Sequence, residues 1–327
     1  MKDSYSGSLW AITSYFNPVG YRRRLENYRV FRQNLNVPLV TVELSFDGNF
    51  QLRPGDADIL VQIHGGAVLW QKERLLNIAL RRVPEGCDKI AWLDCDVVFG
   101  SDDWMERAGR VLDDFPLVHL FNERNDLPQN VDLDQLRLWD TPAISRSALH
   151  KMAAGEATAE DLLLGGAPPS STVGFAWAGR REVLEEHGFY DACILGSGDR
   201  AMLCAALGEF DYGTGALHMN ARRKEHYLEW ARPYFAAVRG RVAYIRGRLF
   251  HLWHGELEDR RYQQRHRCLA WFDFDPFTDI AINHNGSWRW SSNKRELHAF
   301  VRGYFASRNE DGVRKESPAD HRGGFAA

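Results

Sequence analysis

The sequence lacks any apolar run approaching the ~18 residues that a membrane-crossing helix needs. Cysteine is scarce: Cys87, Cys95, Cys193, Cys204 and Cys268 stand singly among 327 residues, with no C-x-x-C. That spacing excludes a dense disulfide scaffold and fits reduced thiols. Neither charge is in excess. The 41 Lys and Arg against 44 Asp and Glu give a formal net charge of −3, so no global field draws the chain to nucleic acid or an anionic membrane. There is no Walker A loop, no dinucleotide G-x-G-x-x-G after a strand and no G-x-S-x-G elbow. The opening MKDSYSGSLWAITSYF holds one early Lys and an apolar stretch too short for a signal peptide. These absences lead to the expectation of a cytoplasmic protein without a transmembrane segment.

What is present is a strand–helix alternation. The length suits one large α/β domain or two small ones, and a sizeable core can be buried. Leu9–Thr13 reads as a buried strand that Asn17-Pro18 and Gly20 break. Arg22–Asn34 carries Leu25, Tyr28 and Phe31 at helical spacing. Val37–Leu44 and Asp58–Ile63 read as strands. Trp70–Arg82 is amphipathic, with Leu75, Leu76, Ala79 and Leu80 inward, and Lys89–Leu93 is a strand running into Asp94-Cys95-Asp96. Such alternation predicts a doubly wound, mostly parallel sheet with helices on both faces, whose ligands sit beyond the strands' carboxyl ends. Residues 122–172 read as a long excursion over the sheet. Further on, Val173–Ala178 reads as a strand and Val242–Phe250 as a strand or hairpin. Trp230–Arg239 and Glu256–Ala270 read as helical. The polar, Gly-rich end predicts a flexible tail over 306–327.

Four features carry chemistry. On an extended segment, side chains two apart point the same way, so Asp94 and Asp96 at a strand end would jointly bind one hard divalent cation, which in turn binds a diphosphate. The plain alternative is a solvated strand exit, but two acids inside a long apolar stretch are costly unless paired or metal-bound. Phe250-His251-Leu252-Trp253-His254-Gly255 offers two imidazoles suited to a metal. On a regular strand they would face opposite ways, and only a turn would let them converge, so His251 is either structural or a ligand. Gly196-Ser197-Gly198-Asp199-Arg200 leaves room near the backbone for a bulky ligand, and Asp199 is either a helix N-cap or a general base. Between Arg222 and Arg267 lie 12 Lys and Arg against 5 Asp and Glu, either a solvated set of helix faces or a basic wall for an anion.

Taken in order, the first strand, the W-Q-K-E-R-L-L-N helix (70–77), the strand ending in Asp94-x-Asp96, G-F-A-W-A-x-R-R-E (174–182) and the late H-x-x-H-G resemble the GT-A glycosyltransferases. The resemblance is to the galactosyltransferase-like branch and the bacterial family 2 enzymes, over most of residues 9–305. It implies a GT-A, Rossmann-like fold and Mn²⁺ (or Mg²⁺) held by Asp94 and Asp96 on a UDP diphosphate. His254 would complete the metal site, and His251 stands where the galactosyltransferases have a Met ligand. Lys72 would contact the nucleotide, and Thr13 and Tyr15 on the first strand would lie near the uridine. Trp177 would lie against the donor sugar. The segment around Gly198 would supply the catalytic base, here Asp199, and sugar contacts.

The expectation is therefore one GT-A domain over 1–305, with a nucleotide-binding half at 1–100 and an acceptor half at 101–305. It would be an inverting hexosyltransferase moving sugar from a UDP-sugar to a carbohydrate or other hydroxyl. Trp and Tyr near 139, 177, 253 and 271 would stack on sugar rings, and Asp191 stands as the substitute base. The rivals are a metal-dependent hydrolase or nucleotidyltransferase on a similar sheet, and a degenerate carbohydrate-binding protein.

Overall fold

The computed structural model describes residues 9–131, 145–156, 158 and 171–312. Its strands are β1 (Leu9–Phe16), β2 (Leu39–Ser45), β3 (Ile59–His64), β4 (Lys89–Leu93), β5 (Val97–Phe99), β6 (Leu117–His119), β7 (Glu123–Asp126), β8 (Ser145–Arg146), β9 (Ala176–Arg180), β10 (Val242–Tyr244) and β11 (Arg248–His251), followed by a small hairpin at 280–290. Seven of them form the central sheet in the order β10-β6-β9-β4-β1-β2-β3. Within it, β1 pairs in parallel with β2 and β4, β2 with β3, and β6 with β10, while β9 is antiparallel to both β4 and β6. From β1 the chain winds outward through β2 and β3, then returns to β1's other side as β4. The crevice at the carboxyl ends of β1 and β4 is thus the point where strand order reverses, and ligands of open α/β sheets settle there.

Alternation along β1 feeds two cores, one on each face. Trp10, Ile12 and Phe16 pack with Leu75, Leu76, Met202, Leu203 and Tyr234 of the helices Lys72–Leu80, Gly198–Leu207 and Ala221–Val238. Leu9, Ala11 and Tyr15 pack with Tyr28, Phe31, Trp104 and Leu112 of the helices Arg22–Gln33 and Trp104–Leu112. Covered on both sides, such strands read as unbroken apolar runs. The mostly parallel sheet with helices on both faces is as expected.

β5, β11, β7 and β8 form a second, smaller sheet in that order. Only a turn at residues 94–96 separates β4 from β5, so the chain leaves one sheet at Leu93 and enters the other at Val97. Three expectations need correction. The strand or hairpin foreseen over Val242–Phe250 is two strands in different sheets. The helix foreseen over Glu256–Ala270 is interrupted at Arg261, whose left-handed φ of 45° separates a 3₁₀ turn from the helix Tyr262–Leu269. The flexible tail does not begin at 306: a helix runs to Ser307, and Arg308 and Glu310 are buried. Residues 313–327, the rest of that tail, lie outside the described residues.

Candidate active site

The turn at 94–96 decides the geometry of the site. Val97 lies opposite His251 in the β5–β11 ladder, and the Leu252 amide donates to the Asp96 carbonyl at 2.8 Å, carrying that ladder back to the acid. β11 ends at His251, and the irregular backbone after it brings His254 round to the same side. Asp96, His251 and His254 each bring a ligand atom within 4.8 Å of the others. His254 Nε2 is 3.1 Å from Asp96 Oδ2 and 3.0 Å from His251 Nε2.

The protonation pattern of the two rings favours a cation. Burial pushes His251 down to about 4, so it is neutral at pH 7. Its Nδ1 lies 2.9 Å from Asp126 Oδ1, a carboxylate that only accepts, so Nδ1 carries the proton and Nε2 a lone pair. His254 Nε2 faces a donor, the Arg260 guanidinium at 3.0 Å, and an acceptor, Asp96 Oδ2 at 3.1 Å, and a cation between the ring and the acid would use its lone pair. One ligand atom from each of Asp96, His251 and His254 thus converges on one place, where a cation would take both Nε2 lone pairs and a carboxylate oxygen. Burial opposes ionisation of Asp96, but the contacts with His254 and His251 win and hold it below the ordinary carboxylate range. Its second oxygen, Oδ1, is buried with no hydrogen-bond partner among the described residues. A divalent cation would satisfy all four observations, and a ring nitrogen bonded to a carboxylate is the usual support of a metal-binding histidine.

Asp94 does not join this cluster, contrary to the expectation of a shared cation. Its Oδ1 is 2.5 Å from Lys72 Nζ, which also donates to Asp199 Oδ2 at 2.8 Å. Burial opposes the charge on Lys72, but Asp199 and Asp94 overcome it and raise its pKa. Burial and the nearby acids Asp199 and Asp96 lift Asp94 to about 6 despite Lys72. Asp199 is not the N-cap, a position that Ser197 holds with φ 74°. Gly174 makes room for Asp199: a Cβ there would stand 2.8 Å from its Oδ2.

Other residues foreseen at the site have structural duties. Thr13 is sealed in the sheet and donates its hydroxyl to the Leu93 carbonyl at 2.7 Å, tying down the strand end before the turn. Tyr15 is buried on the face of β1 packed by the helix Arg22–Gln33 and bonds Gln51. Neither has an exposed face to offer a nucleotide. Trp177 stacks between Trp92 and His119 in the core, behind Asp199. The space at Gly198 is taken by Glu73, whose Oε1 would lie 2.2 Å from an added Cβ, and that at Gly196 faces Trp70 at 3.2 Å. These glycines admit the protein's own side chains. Asp191 is spent on Arg74 and Asn77, each at 3.0 Å. Of the expected stacking aromatics, Trp139 lies outside the described residues, and Trp253 is covered by Arg23. Trp271 is 76% exposed.

Sequence reasoning missed Asp126 as a support for His251, and Glu73, Arg24, Arg308 and Glu310. Arg260 and Arg265 lay unresolved inside the basic stretch, whose excess was the available signal. Both are buried, and among the described residues neither has a carboxylate at ion-pair distance. Arg260 bonds His254 and Tyr262, while Arg265 bonds Ser197 and Tyr304. Buried cations without an anion mark a place for one. Phe175 is held at φ 80°, a conformation that non-glycine residues seldom adopt. Its carbonyl accepts the Asp94 amide at 2.7 Å, and its ring meets His251 at 4.7 Å between centroids.

No protein-family model matches the sequence, and no curated protein does. Among solved structures, S. aureus TarS 1–349 overlaps this chain with a TM-score of 0.38 at 11% identity, covering 94% of this chain and 73% of that one. TarS 1–349 in complex with UDP-GlcNAc gives 0.39 at 11%, covering 92% and 72%. A 4-diphosphocytidyl-2C-methyl-D-erythritolsynthase from Anaerococcus prevotii DSM 20548 gives 0.33 at 9%, covering 92% and 97%. Overlaps this loose assign no chemistry, and the functional reading rests on the residues themselves.

Proposed function

We propose that this chain is a metal-dependent, inverting glycosyltransferase of the GT-A type that moves a hexose from a nucleotide-sugar, a UDP-sugar first among candidates, to an acceptor hydroxyl. One observation carries the reading. At the carboxyl end of β4, where strand order reverses, Asp94-Cys95-Asp96 parts into a cation-type cluster and a lysine-bridged acid pair.

Asp96, His251 and His254 would hold Mn²⁺, whose chemistry there is to neutralise the charge developing on a diphosphate leaving group. Two imidazoles in the set favour Mn²⁺ over Mg²⁺, which prefers oxygen ligands. Arg260 and Arg265 would bind the diphosphate oxygens, which supply the anion their burial lacks. Asp199 would accept the proton of the acceptor hydroxyl. As the oxygen bonds to the anomeric carbon from the opposite face, the carbon–diphosphate bond breaks and its electron pair leaves with the diphosphate. Lys72 would hold Asp199 in orientation through that step.

A screen of UDP-, GDP- and dTDP-sugars by thermal shift and donor hydrolysis, with Mn²⁺ and with EDTA, tests the reading. A UDP-sugar should stabilise the protein, and be hydrolysed slowly, only when Mn²⁺ is present. Phosphate-ester cleavage or pyrophosphate release without any glycosyl product would favour the hydrolase or nucleotidyltransferase alternative. Sugar affinity indifferent to Mn²⁺ would favour a carbohydrate-binding protein.

A further inference from the structure

The last described segment folds back against the metal-type cluster. Tyr21 Oη donates to the Ala306 carbonyl at 2.8 Å and accepts from the Asn309 amide at 3.1 Å. Asp311 accepts the amides of Arg22 and Arg23 at the start of the helix Arg22–Gln33, at 3.1 and 2.8 Å. Gly255, next to His254, lets the backbone cross closely, since a Cβ there would stand 2.8 Å from the Arg308 carbonyl oxygen.

This path buries Glu310 to 1% exposure. It faces Arg24 at 3.2 Å and Arg308 at 2.5 Å. Its Oε1 also lies 3.6 Å from His254 Nδ1, a buried nitrogen without a hydrogen-bond partner among the described residues. With Nε2 turned to a cation, Nδ1 would carry the ring's proton. A buried N–H without an acceptor is costly, and Glu310 is the carboxylate within reach of it.

We propose that Glu310 is a positioning residue of the metal site: it accepts the Nδ1–H hydrogen bond of His254 and so presents Nε2 as a ligand. The proposal rests on the metal-site reading above. His251 then has its carboxylate support in Asp126 and His254 in Glu310, the second delivered from the far end of the described chain. The segment 308–312 becomes part of the site, and its order and metal binding are linked.

The test uses the full chain and Mn²⁺ alone. Glu310→Asp keeps a charge before Arg24 and Arg308 but draws the carboxylate back by one methylene. Glu310→Gln removes the charge, and Asp311→Asn loosens the same segment without touching His254. By calorimetry, both Glu310 variants should bind Mn²⁺ roughly 10–100-fold more weakly than wild type, with Asp311→Asn close to wild type. The visible spectrum of bound Co²⁺ should change only in the Glu310 variants. In wild type, Mn²⁺ should slow amide exchange over 308–312, and in Glu310→Asp it should not. If Glu310→Gln fails to fold, Glu310→Asp and the wild-type exchange decide. Wild-type Mn²⁺ affinity and Co²⁺ spectrum in folded Glu310→Asp would overturn the proposal. No Mn²⁺ binding by wild type would instead overturn the metal reading and take this proposal with it.

Discussion

Asp94 and Asp96 are two residues apart and inhabit opposite environments. Asp94 is paired with a lysine, crowded by a second acid and lifted to about 6. Asp96 lies among imidazoles and falls below the ordinary carboxylate range. The difference comes from the backbone between them, because β4 ends at Leu93 and a turn replaces the extended segment that would have aimed both acids one way. A D-x-D spacing locates a site, and the local backbone decides whether its acids share a ligand or serve two chemistries.

The sharpest way to break this comparison is to remove one acid at a time. Asp96→Ala should weaken Mn²⁺ binding by 100-fold or more and abolish Mn²⁺-dependent donor turnover. The melting temperature should move little, since the acid sits at the rim of the sheet. Full activity of wild type in EDTA would contradict it. On the other side, Asp199→Asn keeps shape but cannot take a proton. Turnover should fall by roughly 10²–10⁴-fold, the usual worth of general-base catalysis, with Mn²⁺ affinity retained. If calorimetry found both variants equally impaired in Mn²⁺ binding, the two environments would not be separate.

A smaller effect sharpens the lysine side. Glu73 is buried beside Lys72 and Asp199, and desolvation raises it from 4.5 to about 8. An acid with a raised folded pKa contributes stability below its unfolded pKa that is lost as pH rises through the folded one. Wild type should therefore lose stability between pH 4.5 and about 8 through this residue. Glu73→Gln cannot ionise and should be the more stable protein at pH 8, by on the order of 4 kcal/mol. Its advantage should vanish near pH 4.5. Urea midpoints at pH 5, 6.5 and 8 measure it, and a gap that does not widen with pH would contradict the assignment.

The sheet and its flanking helices were legible in the sequence because burial on both faces writes continuous apolar runs and 3.6-residue spacing. The turn where the proposed site lies was legible too, as acids after an apolar strand. His251 and His254 required a turn to converge, and β11 ends at His251 to provide it. Thr13 and Tyr15 came from resemblance alone, yet alternation along β1 already set them on the side of Leu9 and Ala11, which a helix covers. Glu310 had no local signal. It sits in a polar, Gly-rich stretch, and one of its buried partners, Arg24, is 286 residues away. Arg260 and Arg265 differ from their exposed basic neighbours only through tertiary burial.

Phe175 joins the two environments mechanically. Its carbonyl holds the Asp94 amide while its ring braces His251, and its left-handed backbone keeps both attachments at a fixed span. It acts as a rigid strut between the acid that leans on lysine and the imidazole that leans on Asp126. Glycine at this position would adopt the same backbone with less strain and leave the strut without its brace.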